Sequence, residues 1–267
     1  SSPNGIARLL PDGQYDSSFK LTNIEDFPDL SANDVVILDD GSLVITGAAT
    51  ESKAQVIFKT NSNGTKIDNY NITILSNLTI VEEYELPLHS MAHISSTILQ
   101  SDRKLIIGGV FTSLGIIKNK NLARLNPDGT LDDFLSPFEH DNRIESIIQQ
   151  KDGKYLVSGE FRSIGKEGLV RLNNNGTIDE SFQVNYFGQE SIVKLTSDNQ
   201  IIVGGLFHSV NGTVRNGLAK IDPEGNVVES FNSINILPDS YTVHAIDSLN
   251  DGSLLIGGYY GSSLSGF

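Results

Sequence analysis

The chain of 267 residues contains no cysteine, no tryptophan and a single methionine. The absence of cysteine excludes disulfide bonds, thiolate metal ligands and a cysteine nucleophile, although it says nothing about the cellular compartment. No apolar run exceeds the length of a strand, so the sequence predicts no transmembrane helix and no insertion into a membrane.

Basic residues are also scarce. The chain has 19 Lys and Arg against 33 Asp and Glu, which gives a formal net charge of −14 at pH 7. Such a surface would not attract a nucleic acid or an anionic membrane, so we expect neither as a partner. The composition suits a secreted or displayed protein, and we expect an extracellular, cell-surface or periplasmic location.

Two short motifs alternate along the whole chain. The first has two strand-like runs around a Gly turn and occurs five times, as IARLLPDGQYDSSF, VIFKTNSNGTKIDNY, LARLNPDGTLDDF, LVRLNNNGTIDESF and LAKIDPEGNVVESF. The second also occurs five times, as VVILDDGSLVITG, TILQSDRKLIIGGVF, SIIQQKDGKYLVSGEF, KLTSDNQIIVGGLF and AIDSLNDGSLLIGGYY.

Each motif predicts a β-hairpin. Gly adopts positive φ without a steric penalty, and Asp or Asn side chains bond nearby backbone groups, so these residues between alternating apolar runs favour a tight turn. The predicted turn glycines of the first motif are Gly13, Gly64, Gly129, Gly176 and Gly225. Two hairpins per period of roughly fifty residues are typical of the four-stranded antiparallel blades of a β-propeller.

The phase of the repeat predicts how the ring closes. The first motif is the outer hairpin of a blade and the second motif is the inner hairpin. The chain starts with an outer hairpin and ends with an inner hairpin. We therefore expect a single all-β domain, 1–267, that is a five-bladed β-propeller, with its fifth blade formed when the N-terminal outer hairpin pairs with the C-terminal inner hairpin. The expected blades are about 33–72, 93–135, 144–183, 190–232, and 245–267 with 1–20. The alternative is a segment of a longer array of blades.

The two motifs resemble those of the delta-60 repeat family of predicted bacterial β-propellers. The pattern R-L-N-P-D-G-x-L-D-x-S-F is matched by 124–134 and 171–182, and the pattern D-G-K-x-L-V-G-G-x-F by 152–161, with Ser158 in place of the first Gly. The resemblance implies a bacterial protein, exported or displayed at the cell surface, without an assigned activity or catalytic residue. The sequence departs from it most in the first full blade, where Thr46-Gly47-Ala48 replaces the Gly-Gly-x-Phe ending.

The segment 70–93 is the longest connection between repeats, and it supplies the first set of candidate ligand-binding residues. Loops beyond about fifteen residues in a compact domain usually serve a function or carry structure of their own, such as a side strand or a lid. The candidates are Glu82, Glu83, Tyr84, His89 and His93. His89 and His93 have the spacing of two zinc ligands on a helix, but Ser90 stands where a zinc protease has its glutamate, so we predict no metal site and no cofactor.

A second candidate set follows from aligning the first strands of the five blades. Counting seven residues back from the turn Asp gives five polar residues, Asn33, Ser95, Glu145, Ser191 and His244. Two positions further on, the chain has Val35, Thr97, Ile147, Val193 and Ile246. In a propeller these positions predict a polar channel rim above an apolar throat, which could hold a small polar ligand, an ion or only water.

We interpret the chain as a non-catalytic binding module for a glycan or a protein, on the loop face that bears 70–93. Tyrosines stack on sugars and fill protein interfaces, and Tyr84, Tyr186 and Tyr241 lie in or near the connections, although the absence of Trp weakens the case for a glycan. One alternative is a glycoside hydrolase or lyase that uses the acidic and His residues of this segment. Another is a structural surface spacer, since a propeller fold serves all three roles.

Overall fold

The computed structural model describes residues 5–49, 54–74, 93–111, 113–114, 117–118, 121–138, 142–161, 164, 166–185, 188–231, 241–249 and 251–260. Every named element in these ranges is a β-strand. Within the same ranges there is no helix with the length and apolar character needed to cross a bilayer. The prediction of an all-β chain is therefore confirmed.

The strands are numbered in chain order. Their bounds are β1 Leu30–Ile37, β2 Leu43–Ala49, β3 Ala54–Thr60, β4 Lys66–Ile74, β5 His93–Leu99, β6 Leu105–Val110, β7 Ser113–Leu114, β8 Ile117–Lys118, β9 Leu122–Leu125, β10 Arg143–Gln149, β11 Tyr155–Phe161, β12 Lys166–Leu172, β13 Gly188–Leu195, β14 Ile201–Phe207, β15 Ser209–Val210, β16 Thr213–Val214, β17 Leu218–Ile221, β18 Tyr241–Ser248 and β19 Leu254–Tyr260.

These strands form five main antiparallel sheets in chain order. Sheet 1 is β1-β2-β3-β4, sheet 2 is β5-β6-β9, sheet 3 is β10-β11-β12, sheet 4 is β13-β14-β17 and sheet 5 is β18-β19. Two small hairpins, β7-β8 and β15-β16, occur in the connections that join the second strand to the third in sheets 2 and 4. The order within each sheet is sequential, as the alternation of inner and outer hairpins predicts.

Among the described residues, sheet 1 alone has the predicted four strands. In sheets 2, 3 and 4 the fourth strand is reduced to one isolated bridge, Leu125 to Leu131, Leu172 to Ile178 and Ile221 to Val227. The chain leaves the sheet after one further bond, such as that from the backbone N–H of Asp132 to the carbonyl of Arg124. In sheets 2 and 3 the aspartate at this position then turns its carboxylate back onto an arginine instead of extending the strand.

The predicted turns are confirmed. The five turn glycines of the first motif have φ between 83° and 100°. In the turn of sheet 2, Gly129 donates its N–H to the carbonyl of Asn126, and the Asp128 carboxylate accepts the N–H of Thr130 at 2.9 Å. Asp and Asn therefore serve these hairpins by bonding the backbone two residues further on.

The strands group into two compact units, Ser1–Ser136 and Pro137–Phe267, called unit 1 and unit 2 below. In unit 1, sheets 1 and 2 share a buried apolar cluster that includes Ile107. In unit 2, sheets 3 and 4 share a cluster that includes Val203, and sheets 4 and 5 share one that includes Val243. Consecutive sheets in each unit thus bury their faces against each other. The single-domain boundary stays a prediction.

The predicted four-stranded fifth blade is not among these sheets, which do not close on themselves. Sheet 5 has two strands. In unit 1 the N-terminal hairpin is reduced to a bridge between Leu9 and Tyr15, and the chain after it docks on the outer turn of sheet 1, where Thr22 pairs with Thr65. Phe19 is buried, and the Arg8 guanidinium lies over its ring, 5.1 Å from the ring centroid.

The first and second strands of sheet 3 approach closely at a β-bulge. The register slips between Ile144 and Ser146, and Gly159 of β11 faces the bulge. Gly159 has a φ of 153°, and a Cβ at this position would lie 1.9 Å from the carbonyl oxygen of Arg143. The strands can keep this approach only if residue 159 has no side chain.

Gly159→Ala is expected to lower the free energy of unfolding by at least about 3 kcal/mol, because it adds a backbone clash to the strain of a positive φ. Gly153→Ala is the matched control: Gly153 has a φ of 87°, but its Cβ would meet nothing closer than 3.7 Å. We expect a loss of about 1 kcal/mol for the control. Urea denaturation measures both, and equal losses would contradict the role given to the close approach.

Candidate functional site

The five residues predicted to form a channel rim share one structural feature, which is a β-bulge in the first strand of their sheet. The register shifts fall between Ala32 and Asp34, Ile94 and Ser96, Ile144 and Ser146, Gln189 and Ile192, and Val243 and Ala245. Asn33, Ser95, Glu145 and His244 are therefore extra residues of the ladder, and Ser191 is one of two residues, with Glu190, that the ladder of sheet 4 leaves unpaired. A bulge re-aims a side chain and is frequent beside binding sites.

The bulges lie near the start of each first strand, at the end of the sheet opposite the Asp-Gly turns. We call this the bulge end. The second strands finish at the same end, at Val110, Phe161 and Phe207, so the connections that follow them begin there too. The bulge end of each sheet therefore combines a polar extra residue with the longer connections of the chain.

In unit 1 the bulge side chains bind backbone groups. Asn33 donates its Nδ2–H to the carbonyl of Ile94 at 3.2 Å, which joins sheet 1 to sheet 2. Ser95 donates its hydroxyl to the carbonyl of Gly108 at 3.3 Å. The neighbouring Asp34 accepts the N–H of Thr97 at 3.1 Å. These contacts hold the two first strands side by side at the bulge end.

In unit 2 the bulge side chains carry charge and aromatic surface. The Glu145 carboxylate lies 4.0 Å from the Arg143 guanidinium. His244 stacks on Tyr259, with ring centroids 5.1 Å apart and an interplanar angle of 20°. Tyr259 is 53% exposed. The stack is thus an open, flat surface at the bulge end of sheet 5.

The residues two positions after the bulges differ between the units. Ile147, Val193 and Ile246 in unit 2 are buried. In unit 1, Val35 is partly exposed and Thr97 is half-buried. An apolar layer beneath the bulges is therefore present in unit 2.

Most candidates of the long connection lie outside the described residues. This holds for Glu82, Glu83, Tyr84 and His89, and also for Tyr186. The backbones of His93, Ser191 and Tyr241 belong to β5, β13 and β18, but the structure does not describe their side chains. The ligand-binding role of these residues stays a prediction.

Sequence reasoning missed an ionic cluster that recurs in the outer hairpins. In sheet 3 the Asp179 carboxylate accepts hydrogen bonds from Arg171 at 2.7 Å and Lys154 at 2.8 Å, and the Arg171 guanidinium lies over the ring of Phe182. Arg124, Asp132, Lys104 and Phe134 repeat the arrangement in sheet 2. The signal was the fixed R-x7-D-x-S/F spacing of the first motif. These charges tie a turn to an outer strand, so they serve the fold.

The shifted carboxyl groups do not suit acid catalysis. Burial raises the pKa of Asp179, but hydrogen bonds from Lys154, Ser181 and Arg171 outweigh it and hold the pKa well below its usual value. Asp128 also has a lowered pKa, because the Thr130 hydroxyl and N–H bond it. A general acid needs a raised pKa. The ranges the structure describes also contain no group of three His, Asp or Glu side chains arranged to hold a metal.

Comparison with known proteins supports the repeat architecture. Three stretches, 100–133, 150–182 and 196–231, match the model of a family described as a domain of unknown function (DUF5122) beta-propeller. The matches support a bacterial β-propeller family. The matched description does not carry the delta-60 name, which stays a resemblance. No curated protein matches the chain significantly.

Two solved structures are similar in fold. A protein of unknown function from Bacteroides caccae has a TM-score of 0.56 and 17% identity, over 98% of this chain and 81% of that one. A catalytically inactive virginiamycin B lyase from Staphylococcus aureus, solved with quinupristin, has a TM-score of 0.52 and 18% identity, over 88% of this chain and 64% of the lyase. The chain thus spans less than two thirds of the lyase. Identities this low show the fold alone.

Asp179→Asn is expected to lower the free energy of unfolding at pH 7 by about 3 kcal/mol, because it leaves Arg171 buried without its carboxylate. Glu180→Gln is the control, since its pair with Lys166 is exposed and is worth under about 1 kcal/mol.

The same variant tests the pKa. A carboxyl with a depressed folded pKa contributes stability above its unfolded pKa of about 4, and this contribution fades as the pH falls below that value. Urea midpoints between pH 6 and pH 2 should fall more steeply for the parent chain than for Asp179→Asn. Parallel profiles would show that Asp179 is not tied into the cluster.

Proposed function

We propose that this protein is a non-catalytic extracellular or cell-surface binding module that takes its ligand at the bulge ends of its sheets. The observation that carries the proposal is the exposed stack of His244 on Tyr259. Flat aromatic surfaces bind sugar rings and partner side chains, and a bulge holds this one in a fixed orientation.

The long connection also leads to a bulge end, that of sheet 2. The segment 75–92 joins the end of β4 to the start of β5, so it enters sheet 2 at its bulge end. It brings Glu82, Glu83, Tyr84 and His89 into the chain immediately before Ser95. A connection rich in acidic and aromatic residues suits a ligand rich in hydroxyl groups, so a glycan is the first ligand class to test and a protein the second.

The alternative of a hydrolase or lyase rests on the residues of the long connection, because the similarity to a lyase concerns the fold alone. An enzyme of this kind would use the carboxylates and His89 of the long connection. A structural surface spacer is the remaining alternative, and it needs none of these residues.

We also propose that the N-terminal hairpin and sheet 5 are two parts of one blade, which makes the protein a closed five-bladed propeller. In unit 1, Leu9 is 62% exposed, whereas its repeat equivalents Leu125, Leu172 and Ile221 are at most 1% exposed beneath a second strand. In unit 2, Leu255 of the second strand β19 is 57% exposed, whereas its equivalents are buried. The N-terminal part thus lacks an inner hairpin, and sheet 5 lacks an outer hairpin.

The complete sheets also give the pairing that closure requires. Leu105 pairs with Leu125, Tyr155 with Leu172 and Ile201 with Ile221. The equivalent pair in the fifth blade is Leu254 with Leu9. Pairing would leave Tyr259 accessible, because its equivalent Leu206 is exposed in sheet 4, where the third strand is present.

Tyr259→Ala is expected to weaken glycan binding at least tenfold, because it removes the exposed face of the stack. Tyr15→Ala is the matched control, since Tyr15 is 49% exposed but pairs with Leu9 in the N-terminal hairpin. A glycan array followed by titration of the hits measures both variants. Equal binding by the parent and Tyr259→Ala would contradict the proposed site, and release of cleaved sugar would favour the hydrolase or lyase.

The double variant Leu9→Cys/Leu254→Cys tests closure. The natural chain has no cysteine, so oxidation can form only the engineered bond. Directly paired strand residues lie within disulfide reach, so we expect an intrachain crosslink that raises the midpoint of thermal unfolding. Leu9→Cys/Leu249→Cys is the out-of-register control. A crosslinked dimer, or no crosslink, on a non-reducing gel would contradict closure within one chain.

A further inference from the structure

Unit 1 contains a small cleft at the turn ends of sheets 1 and 2, away from the bulges. Its volume is about 130 Å³. Its floor is apolar, formed by Leu38, Val44, Leu99, Leu105 and Pro127. Its rim is charged, formed by Asp39, Asp40, Lys59 and Arg103. Pockets for drug-sized ligands start at roughly 300 Å³, so this cleft suits a much smaller molecule.

Lys59 lacks the close ion pair that the residue at its repeat position makes in sheets 2 and 3. The equivalent residues Arg124 and Arg171 bind Asp132 and Asp179 at 2.7 Å. In sheet 1 the residue opposite Lys59 is Ile67, which carries no charge. The Lys59 ammonium is therefore left 3.9 Å from the Asp40 carboxylate, with 21% of the side chain exposed. It is a half-buried cation with unused hydrogen-bonding capacity at the mouth of the cleft.

Arg103 occupies a backbone position that the repeat reserves for residues tolerant of positive φ. Its φ is 66°, and the equivalent turn residues are Gly41, Gly153, Gly252 and Asn199. A long side chain is unfavourable there, so its presence suggests a task for the guanidinium. The Arg103 Nε lies 3.8 Å from the Asp39 carboxylate, beyond hydrogen-bonding distance.

The interface between sheets 3 and 4 shows what closes such a cleft. At the position of Asp39, sheet 3 has Lys151, which donates to the carbonyl of Ser197 in the next turn at 2.8 Å. Asp39 cannot make this bond because a carboxylate has no donor. The charged contact described between these two turns of unit 1 is long, 3.8 Å from Arg103 to Asp39, and a ligand can enter there.

We propose that this cleft binds a small zwitterion, an α-amino acid with a short aliphatic side chain. Lys59 and Arg103 bind the carboxylate, Asp39 and Asp40 bind the ammonium, and the apolar floor takes the aliphatic group. The two cations and two anions of the rim give it a net charge of zero. A ligand that carries both charges can pair with both kinds of side chain, whereas a ligand with a single charge can pair with only one kind. The volume admits an amino acid such as valine.

A titration with L-valine, in which calorimetry or NMR detects binding, tests the site. The parent chain should bind L-valine, and Lys59→Met and Arg103→Gly should each weaken binding at least tenfold. Arg103→Gly introduces the residue that three other repeats have, so it should fold. The matched control is Lys220→Met: Lys220 has the same repeat position, a side chain 24% exposed and a contact of 4.0 Å to Asp198. It should bind like the parent.

Isovalerate, which lacks the ammonium, should bind at least tenfold more weakly than L-valine. Failure of the parent to bind L-valine, equal binding by all variants, or equal binding of isovalerate would overturn the proposal. The glycan site is separate, so Tyr259→Ala should bind L-valine normally and Lys59→Met should bind the glycan normally. Failure at one site therefore leaves the other proposal open to its own test.

Discussion

Burial of the second strand between two neighbouring sheets is the constraint on which the structure depends. Ile201, Ile202 and Val203 of β14 point alternately to both faces of sheet 4, and each is at most 1% exposed, because sheet 3 covers one face and sheet 5 covers the other. A small sheet cannot bury two faces alone, so each repeat needs a repeat on either side. The same demand explains why β19, in a sheet with two strands, keeps Leu255 exposed, and why Ile24 packs with Ile45 and Phe58 of sheet 1.

Close packing of the first strand on the second has a consequence for function. A residue without a side chain must face the bulge, as Gly159 and Gly47 do. The bulge in turn displaces one residue of the first strand from the ladder, and that residue is free to differ between repeats. The core therefore keeps one geometry throughout, while the bulge positions carry Asn, Ser, Glu and His.

The turn ends of the sheets also differ in what their charged residues do. In sheets 2 and 3, Arg, Asp and Lys form tight clusters that tie the turn to the outer strand. Sheet 1 replaces the aspartate of this cluster with Ile67 and leaves Lys59 at the cleft. A repeat that gives up one stabilising pair thereby gains polar groups that can meet a ligand.

The repeats predicted the hairpins, their turns and the order of strands, because these depend on residues within about fifteen positions of each other. The four-strand prediction held only in sheet 1, because Asp132 and Asp179 turn towards an arginine where the pattern suggests a continuing strand. Alignment of the first strands found Asn33, Ser95, Glu145, Ser191 and His244 without indicating that a bulge unites them. The sequence by itself therefore determined the local pairing of each repeat. Only the tertiary structure decided that His244 meets Tyr259 and that Lys59 and Arg103 line one cleft, because those contacts join residues that no short-range pattern relates.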